Sequence, residues 1–243
     1  KKNTGKKKEK TTKKKQQSDE FATKKKKSSA AAVIAASDEE IEEKTIVIST
    51  KKAMIRLTNR GGDITGYELA DHIDTDTNKG VEMADNISEI NRACSVSFGD
   101  SDKDIINDLY NVEQTTTEDG KQIVTFTKKY QNFVFGKRYT FAPEEYLFKL
   151  EILVHSDGTD SGMNFNNVAY TLRTAPQIGP HFDSKVNRYE VRQFLAHNEN
   201  KTKRINLGSK QFKEYDKAYS WTGITGKYFV ELVFPAESSK MGT

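Results

Sequence analysis

A chain of 243 residues has room for one large domain or two small ones and for a sizeable core. Hydrophobic residues make up only 35% of it and charged residues 30%, so one segment must be too polar to join that core. No run of about 18 apolar residues occurs, which leaves no transmembrane helix in this stretch, and the single cysteine excludes an intrachain disulfide and any CxxC metal or redox motif.

The polar segment comes first. Residues 1–29 carry thirteen lysines against Glu9, Asp19 and Glu20, about +10 in all, so with a total of +4 the remainder is a mildly acidic body of about −6. This predicts a disordered Lys-rich linker over residues 1–44. Phe21 is its one aromatic and it holds no arginine, so it lacks the stacking groups of single-strand binders and no nucleic-acid partner is expected. Contact with an anionic lipid surface is the electrostatic role open to it. The apolar run Ala30–Ala36 is too short to span a bilayer and reads as linker, with Ser37 placed to cap a helical turn through "SDEEIEEK".

At Thr45 the pattern changes to period two, rich in Thr, Val, Ile, Tyr and Phe, which predicts an all-β body. "TIVIST" and "AMIRLT" are the first strands, and "NRGGD" joins the second to "ITGYEL", with Gly61 and Gly62 supplying positive φ angles for a hairpin. His72 follows in a polar, loop-like stretch. Asp74, Asp76 and Asn78 have the spacing of the first calcium-loop ligands, but Lys79 and Asp85 stand where glycine and glutamate are needed, so a solvated turn is expected. "DSDKD" from Asp100 fails alike, at Ile105 and Asn111. In "ACSVSF", Cys94 alternates with Val96 and Phe98, which predicts a buried, inert thiol on a strand face. "DKDIINDLYNVE" reads as a helical turn or a loop.

"NFVFGKRYTF" directs Phe133, Phe135, Tyr139 and Phe141 to one side, the core side, and "YLFKLEILVH" puts Phe148, Leu150, Ile152 and Val154 on one side of its own strand. The turn "APEE" between them predicts an antiparallel hairpin. Glu151 and His155 share a face of the second strand at acid/base spacing, but Lys149 shares it too, marking an outward polar face. "NNVAYTLRT" enters the rigid stretch "APQIGPHFD", where Pro176 holds Ala175 extended, Gly179 lets the chain turn and Pro180 stops a ladder beside His181 and Asp183. "NRYEVRQFLA", "KTKRINL" and "GKYFVELVF" are the last strands; His197 sits in a polar stretch after the first, and Tyr228, Val230, Leu232 and Phe234 share a face of the third. Ten to thirteen short strands with few helix signals favour stacked antiparallel sheets over a barrel. No G-x-S-x-G, P-loop, H-E-x-x-H or G-x-G-x-x-G motif gives an enzyme a positive case.

In order, "RLTNRGGDITGYEL", "KRYTF…YLFKLEILV", "YTLRTAPQIGP" and "WTGITGKYFVELVFP" resemble the large extracytoplasmic domain of the YidC/Oxa-type membrane protein insertases of diderm bacteria, over Thr45 to Pro235. Gly61, Gly62, Tyr170, Pro176, Gly179, Pro180, Trp221, Tyr228, Phe229 and Pro235 carry the resemblance as structural signatures. It implies an antiparallel β-supersandwich like that of galactose mutarotases, over residues 45–243 and C-terminally incomplete. It also implies a periplasmic location beside the inner membrane, between a first membrane helix and a five-helix core. The function implied is non-enzymatic: support of insertion and folding of inner-membrane proteins, with nascent chains and accessory subunits of the Sec translocon as partners and with no cofactor or metal. Two rival readings stay open at this stage: a carbohydrate-binding or mutarotase-like sandwich using Glu151, His155 or His181, and a surface- or nucleic-acid-binding protein driven by the lysine tail.

Overall fold

A computed structural model describes residues 41–99, 104–130, 133–156, 170–183, 185–186, 189–198, 201–205, 214–215, 218–235 and 241–242. The lysine-rich tail, the Ala30–Ala36 run, Ser37 and Asp100 lie outside them. Among the described residues the regular structure is all strand, and no helix is long and apolar enough to cross a membrane. In chain order the strands are β1 (Thr45–Ser49), β2 (Ala53–Thr58), β3 (Asp63–Asp74), β4 (Lys79–Glu82), β5 (Val96–Phe98), β6 (Asn111–Thr116), β7 (Gln122–Lys129) and β8 (Phe133–Phe141). They continue with β9 (Phe148–Ser156), β10 (Tyr170–Leu172), β11 (Gln193–Asn198), β12 (Lys201–Ile205), β13 (Ala218–Tyr219), β14 (Trp221–Thr225), β15 (Val230–Val233) and β16 (Met241–Gly242).

Three antiparallel four-stranded sheets result, ordered β1-β2-β3-β4, β6-β7-β8-β9 and β12-β11-β14-β15, with the small pairs β5/β10 and β13/β16 beside them. This agrees with the all-β reading and is consistent with a supersandwich. Neighbours in sequence pair because short polar turns separate period-two runs. The β2–β3 turn is set by Gly61 and Gly62, at φ 71° and 64°, which brings Thr58 opposite Asp63. At Gly62 a Cβ would also stand 2.9 Å from the Phe126 ring, so the turn sits directly on the second sheet. The β8–β9 hairpin pairs Phe141 with Phe148, as the "APEE" turn predicts.

The core lies where the first two sheets face each other. Ile55 and Leu57 of β2 meet Phe126 of β7 and Phe135, Tyr139 and Phe141 of β8, all buried, while Phe133 is half-buried at the rim. Each such side chain contributes about 1.5–3 kcal/mol through removal from water. The Tyr139 hydroxyl reaches into this layer and donates to the Gly62 carbonyl at 2.8 Å.

Alternation also places Lys137 on the aromatic face of β8, and it is indeed inside, 1% exposed. It is tolerated there because Asp63, 0% exposed, accepts from its ammonium, and the Cys94 carbonyl accepts a second bond at 2.7 Å. Arg92, 4% exposed, completes the cluster: its Nε donates to Asp63 Oδ2 at 2.9 Å and its Nη2 to Asn107 Oδ1 at 2.6 Å. One carboxylate thus ties the Gly-Gly turn, strand β8 and the segment before β5 together.

Several local expectations need correction. Cys94 is not on the strand with Val96 and Phe98; it occupies a turn at φ 62°, because its carbonyl must point to Lys137 and its N–H to the Arg173 carbonyl. Burial nonetheless pushes its thiol up to about 12, as an inert cysteine requires. "DKDIINDLYNVE" forms no helical turn over its described residues. Its backbone is claimed by neighbours instead, Ile106 N–H by the Val96 carbonyl and Tyr110 N–H by that of Asn59, and its end starts β6. His72 and His197 lie on β3 and β11 rather than in loops, and the strand read from "NRYEVRQFLA" begins only at Gln193.

Candidate functional site

The rigid stretch after β10 borders a cavity lined by charged side chains. This cavity, of about 390 Å³, is lined by Arg56, Glu68, Asp74, Lys79, Glu82, Asp85 and His181, among others. Glu68 and Glu82 stand opposite each other in the β3–β4 register, an arrangement that repels unless a cation intervenes. Arg56 supplies it, reaching Glu68 at 3.4 Å and Glu82 more closely still. The Glu82 carboxylate also accepts from the N–H groups of Tyr67 and Ala84, and Glu68 from that of Gly80.

The segment from Ala175 to Asp183 lies along β4. Gln177 and Asp85 exchange backbone bonds, and Gly179 passes so close that a Cβ would stand 1.9 Å from the Glu82 carbonyl oxygen. The glycine is therefore there for space rather than for the turning freedom expected of it. The Gly179–Pro180 peptide is cis, and pairing with β4 ends there, as the missing N–H of Pro180 dictates. Arg192 donates to the Pro180 carbonyl at 2.6 Å and its guanidinium lies 5.2 Å over the Phe182 ring, which clamps the segment to the third sheet.

His181 meets Asp85, with Nδ1 2.9 Å from Oδ1, while the Asp183 carboxylate accepts from the Lys185 N–H. The hydrogen bond to Asp85, followed by the carboxylate's charge, raises the His181 pKa from its ordinary value. The carboxylates of the cavity are therefore occupied by Arg56, backbone donors and His181, and the arrangement fastens β4 and the Pro-Gly-Pro segment to the first sheet. Glu151 is likewise engaged, by Lys149 at 3.0 Å on the outer face of β9, and His155 is exposed near that strand's end. Asp74 accepts from the Asp76 N–H, with Asn78 at φ 54°, a plain turn. Among the described residues no cluster of three or more His, Cys, Asp or Glu is placed to hold a metal ion.

The second feature is the outer face of the third sheet. Register puts Leu195, Gly223 and Leu232 in one row and His197 with Trp221 in the next, the two rings stacking at 5.1 Å. Tyr228, Val230, Leu232 and Phe234 all project from this side and are exposed. The alternate residues point inward: Ile224 is buried, and Phe229 meets His72 edge-on at 5.4 Å. Glu231, also inward, has its carboxyl pushed up to about 7 by burial, against a backbone hydrogen bond from Ala175.

The signature residues therefore fall on three places. Gly61 and Gly62 form the β2–β3 turn; Tyr170, Pro176, Gly179 and Pro180 lie on β10 and the segment it feeds; Trp221, Tyr228, Phe229 and Pro235 belong to the β14–β15 region. Arg56, Glu82 and Arg192 went unremarked in the sequence, since their partners are distant in the chain, and Asp85 figured there only as a failed calcium-loop position. Lys137 had a signal, its place in the aromatic alternation.

Residues 45–242 match the family model of the YidC periplasmic domain. The membrane protein insertase YidC of Treponema denticola is 35% identical over 204 residues, covering 79% of this chain and 35% of that protein. That of Treponema pallidum is 28% identical over 235 residues, covering 81% of this chain and 38% of that protein. The chain thus spans little more than a third of these relatives.

Proposed function

The chain belongs to the YidC family, and from that premise we propose that residues 45–243 work as the periplasmic domain of a membrane protein insertase. On this reading the domain is non-enzymatic and stands on the outer side of the inner membrane. It supports insertion and folding of inner-membrane proteins, alone or with the Sec translocon, and touches nascent chains or translocon accessory subunits. The family match over residues 45–242 carries the reading. The cavity agrees with it, since its carboxylates are committed to Arg56, backbone N–H groups and His181. The lysine-rich residues 1–29 act as a tether held near anionic headgroups.

Site-specific photo-crosslinking in the full-length protein tests this. Probes on the outer faces of β9, β11 and β15 should give adducts with a ribosome-stalled inner-membrane nascent chain or with Sec subunits. A scan of all three faces without one such adduct refutes the proposal. For the tether, deletion of residues 1–29 should weaken co-sedimentation with anionic vesicles at low salt, and equal binding would remove that role.

A further inference from the structure

The end of the third sheet where β14 turns into β15 is unusual in what it exposes. Tyr189 is 100% exposed and Tyr228 72%, and Val191 and Val230 are also exposed. These side chains come from two segments that lie side by side: Gln193 pairs with Thr225, and the Arg192 guanidinium fills the space a Cβ on Gly226 would take. Large apolar side chains left in water on adjacent segments mark a surface that meets something less polar than water.

The charges around them select the occupant. Lys227 and Arg204 are exposed at the same end of the sheet, and the Lys227 ammonium stands 4.8 Å over the Tyr228 ring. The nearby acidic groups are turned to other uses, Glu190 to Arg192 at 3.0 Å and Glu231 to the inward face. Tyrosines flanked by aliphatic residues and cations are the side chains that settle at a bilayer interface, ring among the headgroups and ammonium toward phosphate.

We propose that this end of the sheet, through Tyr189, Val191, Lys227, Tyr228 and Val230, docks on the headgroup region of an anionic phospholipid bilayer. The proposal rests on the reading that the domain works beside a membrane. The contact differs from that of the lysine tail, since aromatic insertion survives salt and simple charge attraction does not.

The 243-residue chain is to be partitioned onto phosphatidylethanolamine/phosphatidylglycerol vesicles at low and high salt. Tyr189→Ser/Tyr228→Ser should lower partition at high salt about tenfold, through the two interfacial rings. Lys227→Glu should lower it about threefold at low salt. Unchanged melting checks the fold of each variant. In a Cys94→Ser background, an environment-sensitive dye on Tyr189→Cys should shift to the blue when vesicles are added. A double variant that partitions like the parent at high salt overturns the proposal, as does a dye that keeps its aqueous spectrum. Vesicle binding indifferent to the tyrosines counts against this contact alone, whereas missing nascent-chain and Sec adducts count against the insertase reading alone.

Discussion

Replacing Asp63 with Asn tests whether one buried carboxylate holds the two main sheets in register. The side chain keeps its size, but Lys137 and Arg92, 1% and 4% exposed, are left facing one another without an anion. Stripping a buried ion pair of one partner costs about 3–5 kcal/mol, because the remaining charge can neither be hydrated nor paired. For a domain of this size that lowers the melting temperature by roughly 6–20 °C. Lys137→Met should cost less, since Asp63 keeps Arg92 and the main loss is the hydrogen bond on the Cys94 carbonyl, about 1–3 kcal/mol. The double variant should be milder than the sum of the singles by at least about 1 kcal/mol, as the buried ammonium is then gone and only Arg92 is left without its anion. Urea unfolding followed by the fluorescence of the lone Trp221 measures all three. Losses below about 1 kcal/mol for Asp63→Asn, or strict additivity, would refute the reasoning.

Three further outcomes are expected. Glu231 favours its neutral form when folded, with its pKa raised from 4.5 to about 7, so the stability it contributes is present below pH 4.5 and lost as pH rises through 7. The loss is on the order of 3 kcal/mol, and Glu231→Gln should flatten this part of the stability-versus-pH curve; an unchanged slope would count against the assignment. Gly179→Ala forces a methyl against the Glu82 carbonyl oxygen, which is backbone and cannot swing away, and should cost about 1–3 kcal/mol in a thermal melt. Cys94 should resist a thiol reagent at pH 8 in the folded protein and react on unfolding, because burial holds the thiol up near 12; fast labelling of the native chain would contradict its placement.

Much of the architecture was legible because it follows from local rules. Period two in "AMIRLT" and "NFVFGKRYTF", and glycine or proline between runs, set strands that pair with their chain neighbours, and β1 to β4 and β6 to β9 do so in order. Where the reading failed, a distant backbone group had outbid the local preference. The segment 104–110 gave up its helical option to hydrogen bonds that its N–H groups donate to the Val96 and Asn59 carbonyls, and Cys94 left its strand because Lys137 needed its carbonyl. The ring stacking that places His197 beside Trp221 spans 24 residues of sequence, beyond any spacing rule.

The sequence by itself determined the class of fold, the acidic body behind a basic tail and the family, since composition, alternation and ordered phrases are properties of the chain read in one dimension. Which face of each strand meets water was decided only in three dimensions. Tyr228, Val230, Leu232 and Phe234 alternate like the core residues of β8, yet they point outward, and Lys137 alternates with aromatics and points in. Alternation fixes that side chains share a side; the packing of one sheet against another decides which side is covered. The same holds for the Pro-Gly-Pro segment: its rigidity is written in its residues, while its partners Glu82, Asp85 and Arg192 come from strands and turns that only the fold brings alongside.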